Sequence, residues 1–274
     1  MTKERQLSLT RWITFTLVGL AAVIPFLFDF KLPTVPSKVA DDLFNAVEKL
    51  KERDVLMLSF DFDPGAEVEL EPMARSLLRQ AFRKNLRVIN LSLYMPQSAP
   101  LMNRIVLETA AEFPGKVLEG RDFVLLGFNP GALSTILGMG ENIYQFFPKD
   151  RLNKPLKDAE AMKGVATLKD LNMMIDLAAG SLPDTWLVYG QNKHGFPMGL
   201  GCTAVMATDY YPYLESGQLV GELGGMAGAY RYEKLVGKEG TATKGMRSLS
   251  VIHLLIVALI VVGNIVYFLG GRKK

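Results

Sequence analysis

Asp61-Phe62-Asp63 is the first place along the chain where residue types and spacing could do chemistry. Two carboxylates two residues apart at the end of an apolar strand suit phosphoryl transfer. One would attack phosphorus and the other would handle the proton and Mg²⁺. Here Pro64 follows at once and no later acidic pair for the metal stands out. The plainer role is a helix cap and a turn. Ser92 ends a second expected strand, a common place for a serine. Gly127-Phe128-Asn129-Pro130-Gly131 stands between a strand and a helix. Such loops are the usual ligand sites of open α/β sheets, and helix N-termini there favour anions. It is not G-x-G-x-x-G, and no P-loop lysine follows. A ligand pocket, if the domain has one, would be lined by Asp61, Asp63, Asn129 and Gly131. Only His194, His253 and Cys202 could serve a His/Cys zinc site, which is too few. No G-x-S-x-G occurs, so a serine triad would have to use His194 in a loop. No catalytic residue, metal or cofactor is assigned, and the chain reads as a binding or interaction protein rather than an enzyme.

The elements that would position these residues alternate. Asp41 to Arg53 has Leu43, Phe44, Val47 and Leu50 at helical spacing. Val55 to Phe60 is a continuous apolar run of strand length, suited to a strand covered on both faces. Glu67 to Lys84 is a helix, Leu86 to Leu93 a strand, Pro100 to Phe113 a helix and Phe123 to Phe128 a strand. Ala132 to Lys163 is less regular, with short helices around Pro148 and Pro155. Thr167 to Ala179 reads as a helix, since Thr167 and Asp170 make a capping box and Gly180 ends it. Trp186 to Tyr189 then reads as a fourth strand and Gly199 to Ala207 as a fifth. This alternation predicts an α/β domain over 29–246. Its sheet is open and mostly parallel with helices on both faces, a flavodoxin-like or Rossmann-like three-layer sandwich, most simply in the flavodoxin-like order.

A last helix is expected from Pro212 to Val236, with Tyr210-Tyr211-Pro212-Tyr213 packed at its start. On such a helix Gly217, Gly221, Gly224, Gly225 and Gly228 share one face, with Leu219, Leu223, Met226 and Tyr230 opposite. Five helical glycines cost roughly 5 kcal/mol against alanine. Close packing of a second helix or subunit on that face would offset this, which makes the five glycines a candidate interface.

Composition and the two ends set the class. The chain has 274 residues, 31 Lys+Arg against 28 Asp+Glu, and one cysteine. This excludes a disordered chain and a disulfide scaffold, and gives no basic field for nucleic acid. Residues 12–28 carry no charge and can span a bilayer, after a terminal tail at 1–11. Residues 249–270 are also uncharged and precede a basic tail at 271–274. His253 and Asn264 are their polar members. A basic start and Asp29, Asp41 and Asp42 beyond the first span place both termini in the cytoplasm and the large domain outside, in a plasma or inner membrane.

Ser59-Phe-Asp-Phe-Asp-Pro64, Glu71-Pro-Met-Ala74, Gly127-Phe-Asn-Pro-Gly131, Tyr213-Leu-Glu-Ser-Gly-Gln-Leu-Val-Gly221 and Gly228-Ala-Tyr-Arg-Tyr-Glu233 together resemble a family of prokaryotic membrane-anchored proteins with one α/β domain. The resemblance covers most of the middle domain and implies no activity. The expectation is a two-span protein in contact with membrane lipid. Its domain serves as a subunit or scaffold of a membrane complex, by homo-oligomerisation or with other subunits. The alternative is a membrane-anchored sensor or solute-binding domain with its pocket at the C-terminal ends of the strands.

Overall fold

Six of the largely apolar runs of strand length between the two ends form buried strands. The computed structural model describes residues 3–28, 30, 32–33 and 36–270; Asp29, Lys31 and the basic tail at 271–274 lie outside them. The strands are β1 (Val55–Asp61), β2 (Arg87–Ser92), β3 (Phe123–Phe128), β4 (Met173–Ala178), β5 (Met198–Cys202) and β6 (Leu219–Gly224). They make one sheet in the order β3-β2-β1-β4-β5-β6, with every neighbouring pair parallel. The α/β class and the helices on both faces are as expected. The order is the doubly wound one used by dinucleotide-binding domains, not the flavodoxin-like one. The chain winds outward from β1 in one direction and from β4 in the other. The crevice between the C-terminal ends of β1 and β4 is therefore the switch point.

Side chains alternate across the sheet with period two, which sorts them into two cores. On one face Gly199, Gly201 and Gly221 point toward Leu43, Met73 and the helix Lys38–Glu48. The helices Glu67–Arg83, Ser98–Ala111 and Gly225–Val236 complete that layer. On the other face Val55, Met57, Ile89, Leu91, Val124, Met174, Met198 and Leu200 share a core with Ile136, Ile143, Trp186, Leu187 and Tyr210 from the connections after β3, β4 and β5.

Three expected elements are corrected. Thr167 and Asp170 do form a capping box, but the helix they start is one turn, Leu168–Asp170. The apolar run behind it, Met173–Ala178, is a central strand. Trp186–Gln191 is not a strand but a π-helical segment continuing the short helix Leu182–Thr185. The expected glycine-faced helix over Pro212–Val236 is divided into a short helix Tyr211–Glu215, strand β6 and the helix Gly225–Val236. Its five glycines therefore share no face. Gly217 makes the turn into β6 with φ +76°. Gly221 seats a helix: a β-carbon there would lie 2.4 Å from the amide nitrogen of Leu43 and 2.6 Å from the carbonyl oxygen of Val39. Gly224 and Gly225 form the strand-to-helix junction, Gly225 at φ +57°. Gly228 packs on the backbone of Leu223.

The chain divides into two compact units, Val35–Ala242 and the two termini. In the terminal unit, the helices Lys3–Leu27 and Thr241–Gly270 contain stretches long and apolar enough to cross a membrane, Thr10–Leu27 and Thr241–Leu269. The first helix starts inside the expected tail, and the last starts before the expected span. Their apolar side chains are largely exposed, Trp12 and Leu254 among them. The two helices are tied by the Ser248 hydroxyl donating to the Ala22 carbonyl at 2.8 Å, and by Arg247 Nε donating to the Phe30 carbonyl at 2.8 Å.

Because the atoms facing Gly221 belong to the main chain of the neighbouring helix, Gly221→Ala must push that helix away. Overpacking of this kind costs about 1–3 kcal/mol, which is about 3–10 °C in the melting temperature of a domain this size. Gly199→Ala meets only the end of the Leu43 side chain at 2.4 Å and should lose less. Thermal unfolding of the detergent-purified chain measures both.

Candidate functional site

Parallel register carries four polar side chains into the second core, one from each of four adjacent strands. Ser59 pairs with Asp176, Asp176 with Leu200 and Leu200 with Glu222. Asp61 pairs with Ala178, and Ala178 with Cys202. Asp61, Asp176, Cys202 and Glu222 therefore zigzag across β1, β4, β5 and β6 on one face, toward the C-terminal ends. All four are buried.

The carboxyls are not equally supplied. Asp61 accepts three hydrogen bonds, from Ser59 Oγ at 2.5 Å, the Leu93 amide at 2.7 Å and Trp186 Nε1 at 3.3 Å. Neither oxygen of Asp176 has a hydrogen-bond partner, and neither does Glu222 Oε2. Glu222 Oε1 accepts from Cys202 Sγ at 3.4 Å. Among the described residues no salt bridge reaches any of the three acids.

Burial raises Asp61, and its donors pull it partly back. Burial, and then the charge of Asp61, hold Asp176 well above the ordinary carboxylate range. The two acids act on each other's proton across the switch point, although their oxygens lie outside the geometry of a formed hydrogen bond. Such a pair titrates as a unit. Its better-supplied member, Asp61, ionises first, and the proton stays on Asp176. Burial raises Glu222 to about 7, with the Cys202 thiol offsetting part of the shift. Burial and then Glu222 push the Cys202 thiol up, so it is no nucleophile. Tyr210 is raised by burial and by Asp184 and Asp176.

The rim above this row is acidic. The first stretches of the connections leaving the C-terminal ends of β1 to β4, residues 62–66, 93–97, 129–131 and 179–191, and the whole connection after β5, residues 203–218, contain no lysine, arginine or histidine; Lys193 and His194 come later in the β4–β5 connection. These stretches contain Asp63, Asp184, Asp209 and Glu215. The helix after β1, where a dinucleotide-binding domain holds its pyrophosphate, opens with Glu67 and Glu69. Glu67 is paired there with Arg104 at 2.6 Å, and Glu69 accepts from the Ala204 amide at 2.9 Å. Across the switch point the Tyr94 ring lies on the chain at Gly180, where a β-carbon would stand 3.2 Å from it.

The expected pocket residues do not converge. Asp63 folds back to accept from the Gly65 amide at 2.8 Å. Asn129 and Gly131 follow the edge strand β3, with β2 between them and β1. Asn129 donates to the Phe146 carbonyl at 3.0 Å and accepts from Thr135 Oγ1 at 3.2 Å. Gly131, at φ +76°, starts the helix Ala132–Met139. Only Asp61 belongs to the buried row. Ser92 lies on the opposite face of the sheet by strand alternation, which separates it from Asp61 and removes a phosphatase-like arrangement. His194 sits against Gly140, and burial with Lys169 and Lys193 lowers its proton affinity below that of a free imidazole. Asp176 and Glu222 had one signal in the sequence, an acid inside an apolar run of strand length. Neither a protein-family model nor a curated protein matches the chain.

The two aspartates should respond differently to amidation. Asp61→Asn turns an amide N–H toward groups that already donate, which costs about 1–3 kcal/mol. Asp176→Asn reproduces a neutral acid that can donate to Asp61, and should change stability by less than about 1 kcal/mol. Chemical denaturation at pH 7 checks the asymmetry; equal losses would contradict the placement of the proton.

Proposed function

We propose that this is a two-span membrane protein whose α/β domain binds a small organic cation at the C-terminal ends of the central strands. The observation that carries the reading is a buried carboxyl at the switch point, Asp176, with both oxygens unpartnered, beside strand-end stretches that carry Asp63, Asp184, Asp209 and Glu215 and no lysine, arginine or histidine. Such a lining attracts a group with several N–H donors and repels phosphates. A chelated metal ion fits less well, since no three His, Cys, Asp or Glu side chains are grouped to hold one among the described residues. The strand order supports the location, because open sheets bind ligands at this point. The two apolar helices support membrane anchoring. In the proposed arrangement both termini lie in the cytoplasm and the domain faces outward from a plasma or inner membrane. An assembly role through the glycines has lost the helical face that motivated it, so the weight moves to the strand ends.

Thermal stabilisation of the full chain in detergent tests this, with spermidine and ATP as probes at matched ionic strength. Spermidine in excess of its dissociation constant should raise the melting temperature by several degrees, since a hundredfold excess stabilises by about 2.7 kcal/mol. ATP should not. Asp184→Asn with Asp209→Asn, both exposed positions, should weaken the spermidine effect. Equal stabilisation by ATP, or none beyond that of sodium chloride, would overturn the reading.

A further inference from the structure

The connection between β5 and β6, residues 203–216, packs on the core that contains Cys202 and is closed by its own short-range bonds. Its turns Ala207–Tyr210 and Tyr211–Glu215 are short and close on themselves. The Met206 amide donates to the Thr203 carbonyl, Asp209 to Met206 and Ser216 to Pro212, all within 3.0 Å. Its polar hold on the neighbouring helix is the Ala204 amide donating to Glu69 Oε2 at 2.9 Å. Otherwise it is seated by Met206, Ala207, Tyr210, Tyr213 and Leu214 against the core. Its outer surface is open, with Val205 86% exposed. Ala207 and Glu222 Oε1 both approach Gly224, at 2.8 Å and 3.5 Å from a β-carbon placed there. Ala207 thus lies at the same glycine as the Glu222 carboxyl.

The titratable groups linked to that carboxyl are acids or neutral. Cys202 bonds Glu222 and feels Asp176 and Glu69, Tyr210 from the covering segment feels Asp184, Asp176 and Cys202, Asp184 feels Asp209, and Asp176 feels Asp61. An anion formed there has no counter-charge among these groups. We propose that residues 203–216 are a lid, shut over the strand ends while Glu222 and Asp176 keep their protons and lifted when they lose them. The step transfers one proton from each carboxyl to water, and no other bond changes.

The sign follows from linkage. A carboxyl held protonated when closed and free when open has its higher pKa in the closed state. Closure is strongest below the ordinary carboxylate value and weakens as pH rises through the closed-state value, about 7 for Glu222. One released proton multiplies the opening constant by up to about ten per pH unit. The lid stands apart from the ligand reading, since it needs only the carboxyls and their cover.

Hydrogen exchange of the full chain in detergent, normalised to the intrinsic rate at each pH, tests it. Between pH 5 and 7 the protection of amides in 203–216 should fall by about tenfold per unit for each proton released, up to about a hundredfold for the two, while β1 and β4 amides stay protected. Labelling of Cys202, the single cysteine, should accelerate in parallel after division by the rate of the denatured chain. Glu222→Gln keeps the shape without one titration and should lower the slope of both profiles by about tenfold per unit. Asp176→Asn, the second variant if Glu222→Gln fails to fold, should lower it by the same amount. Protection independent of pH, an unchanged profile in the folded variants, or an equal loss in β1 and β4 would overturn the proposal. Spermidine binding can fail while the lid responds, and the reverse, so the two readings are separable.

Discussion

A carboxyl group taken out of water with no cation beside it keeps its proton or draws on nearby donors, and this constraint organises the domain's second core. Asp61 is provided with a hydroxyl, a backbone amide and an indole, all aimed at its oxygens. Asp176 has none, so it retains its proton and makes the pair tolerable. Trp186 serves the same end twice, filling the core and donating to Asp61. That requires the π-helical turn after β4, which brings the indole over β1. Cys202, a weak donor, does for Glu222 what the stronger donors do for Asp61. Because it does less, Glu222 is left with a pKa of about 7.

The opposite layer shows that a shortage of basic residues is not the cause. On the helical side the acids are met by arginines. Arg104 joins Glu67 and Glu71, Arg79 makes a two-pronged contact with Glu112, and Arg231 does the same with Asp41. These pairs knit the helices Glu67–Arg83, Ser98–Ala111, Gly225–Val236 and Lys38–Glu48 into one layer. Glu67, at the start of the helix after β1, thus has its cation in Arg104, whereas the buried carboxyls of Asp61, Asp176 and Glu222 have none among the described residues. A domain with the strand order of a dinucleotide binder thus presents the charge opposite to the one a dinucleotide needs.

Much of the frame was legible along the chain. The first three strands, the helices between them and the two apolar terminal helices all follow from hydrophobic period and length. The second half was read wrongly for physical reasons. Met173–Ala178 is preceded by a true capping box, and an apolar run of six residues looks the same in a buried helix or a buried strand. Leu219–Gly224 carries two glycines, which weaken a strand by themselves; Gly221 is required there because a helix backbone rests on it. Asp61 stood out as an acid at the end of a strand, while Asp176 was hidden by the mistaken helix.

What the sequence determined alone is local: which segments are apolar, with what period, and where acids interrupt them. Tertiary structure decided which acids meet. Asp61, Asp176, Cys202 and Glu222 come from four strands joined by long crossovers. Their alignment depends on parallel register and strand order, and neither leaves a pattern in neighbouring residues. The same is true of their proton affinity. It arises from burial and from the placement of three donors on one carboxyl and none on the next, a property of the packed interior rather than of any stretch of chain.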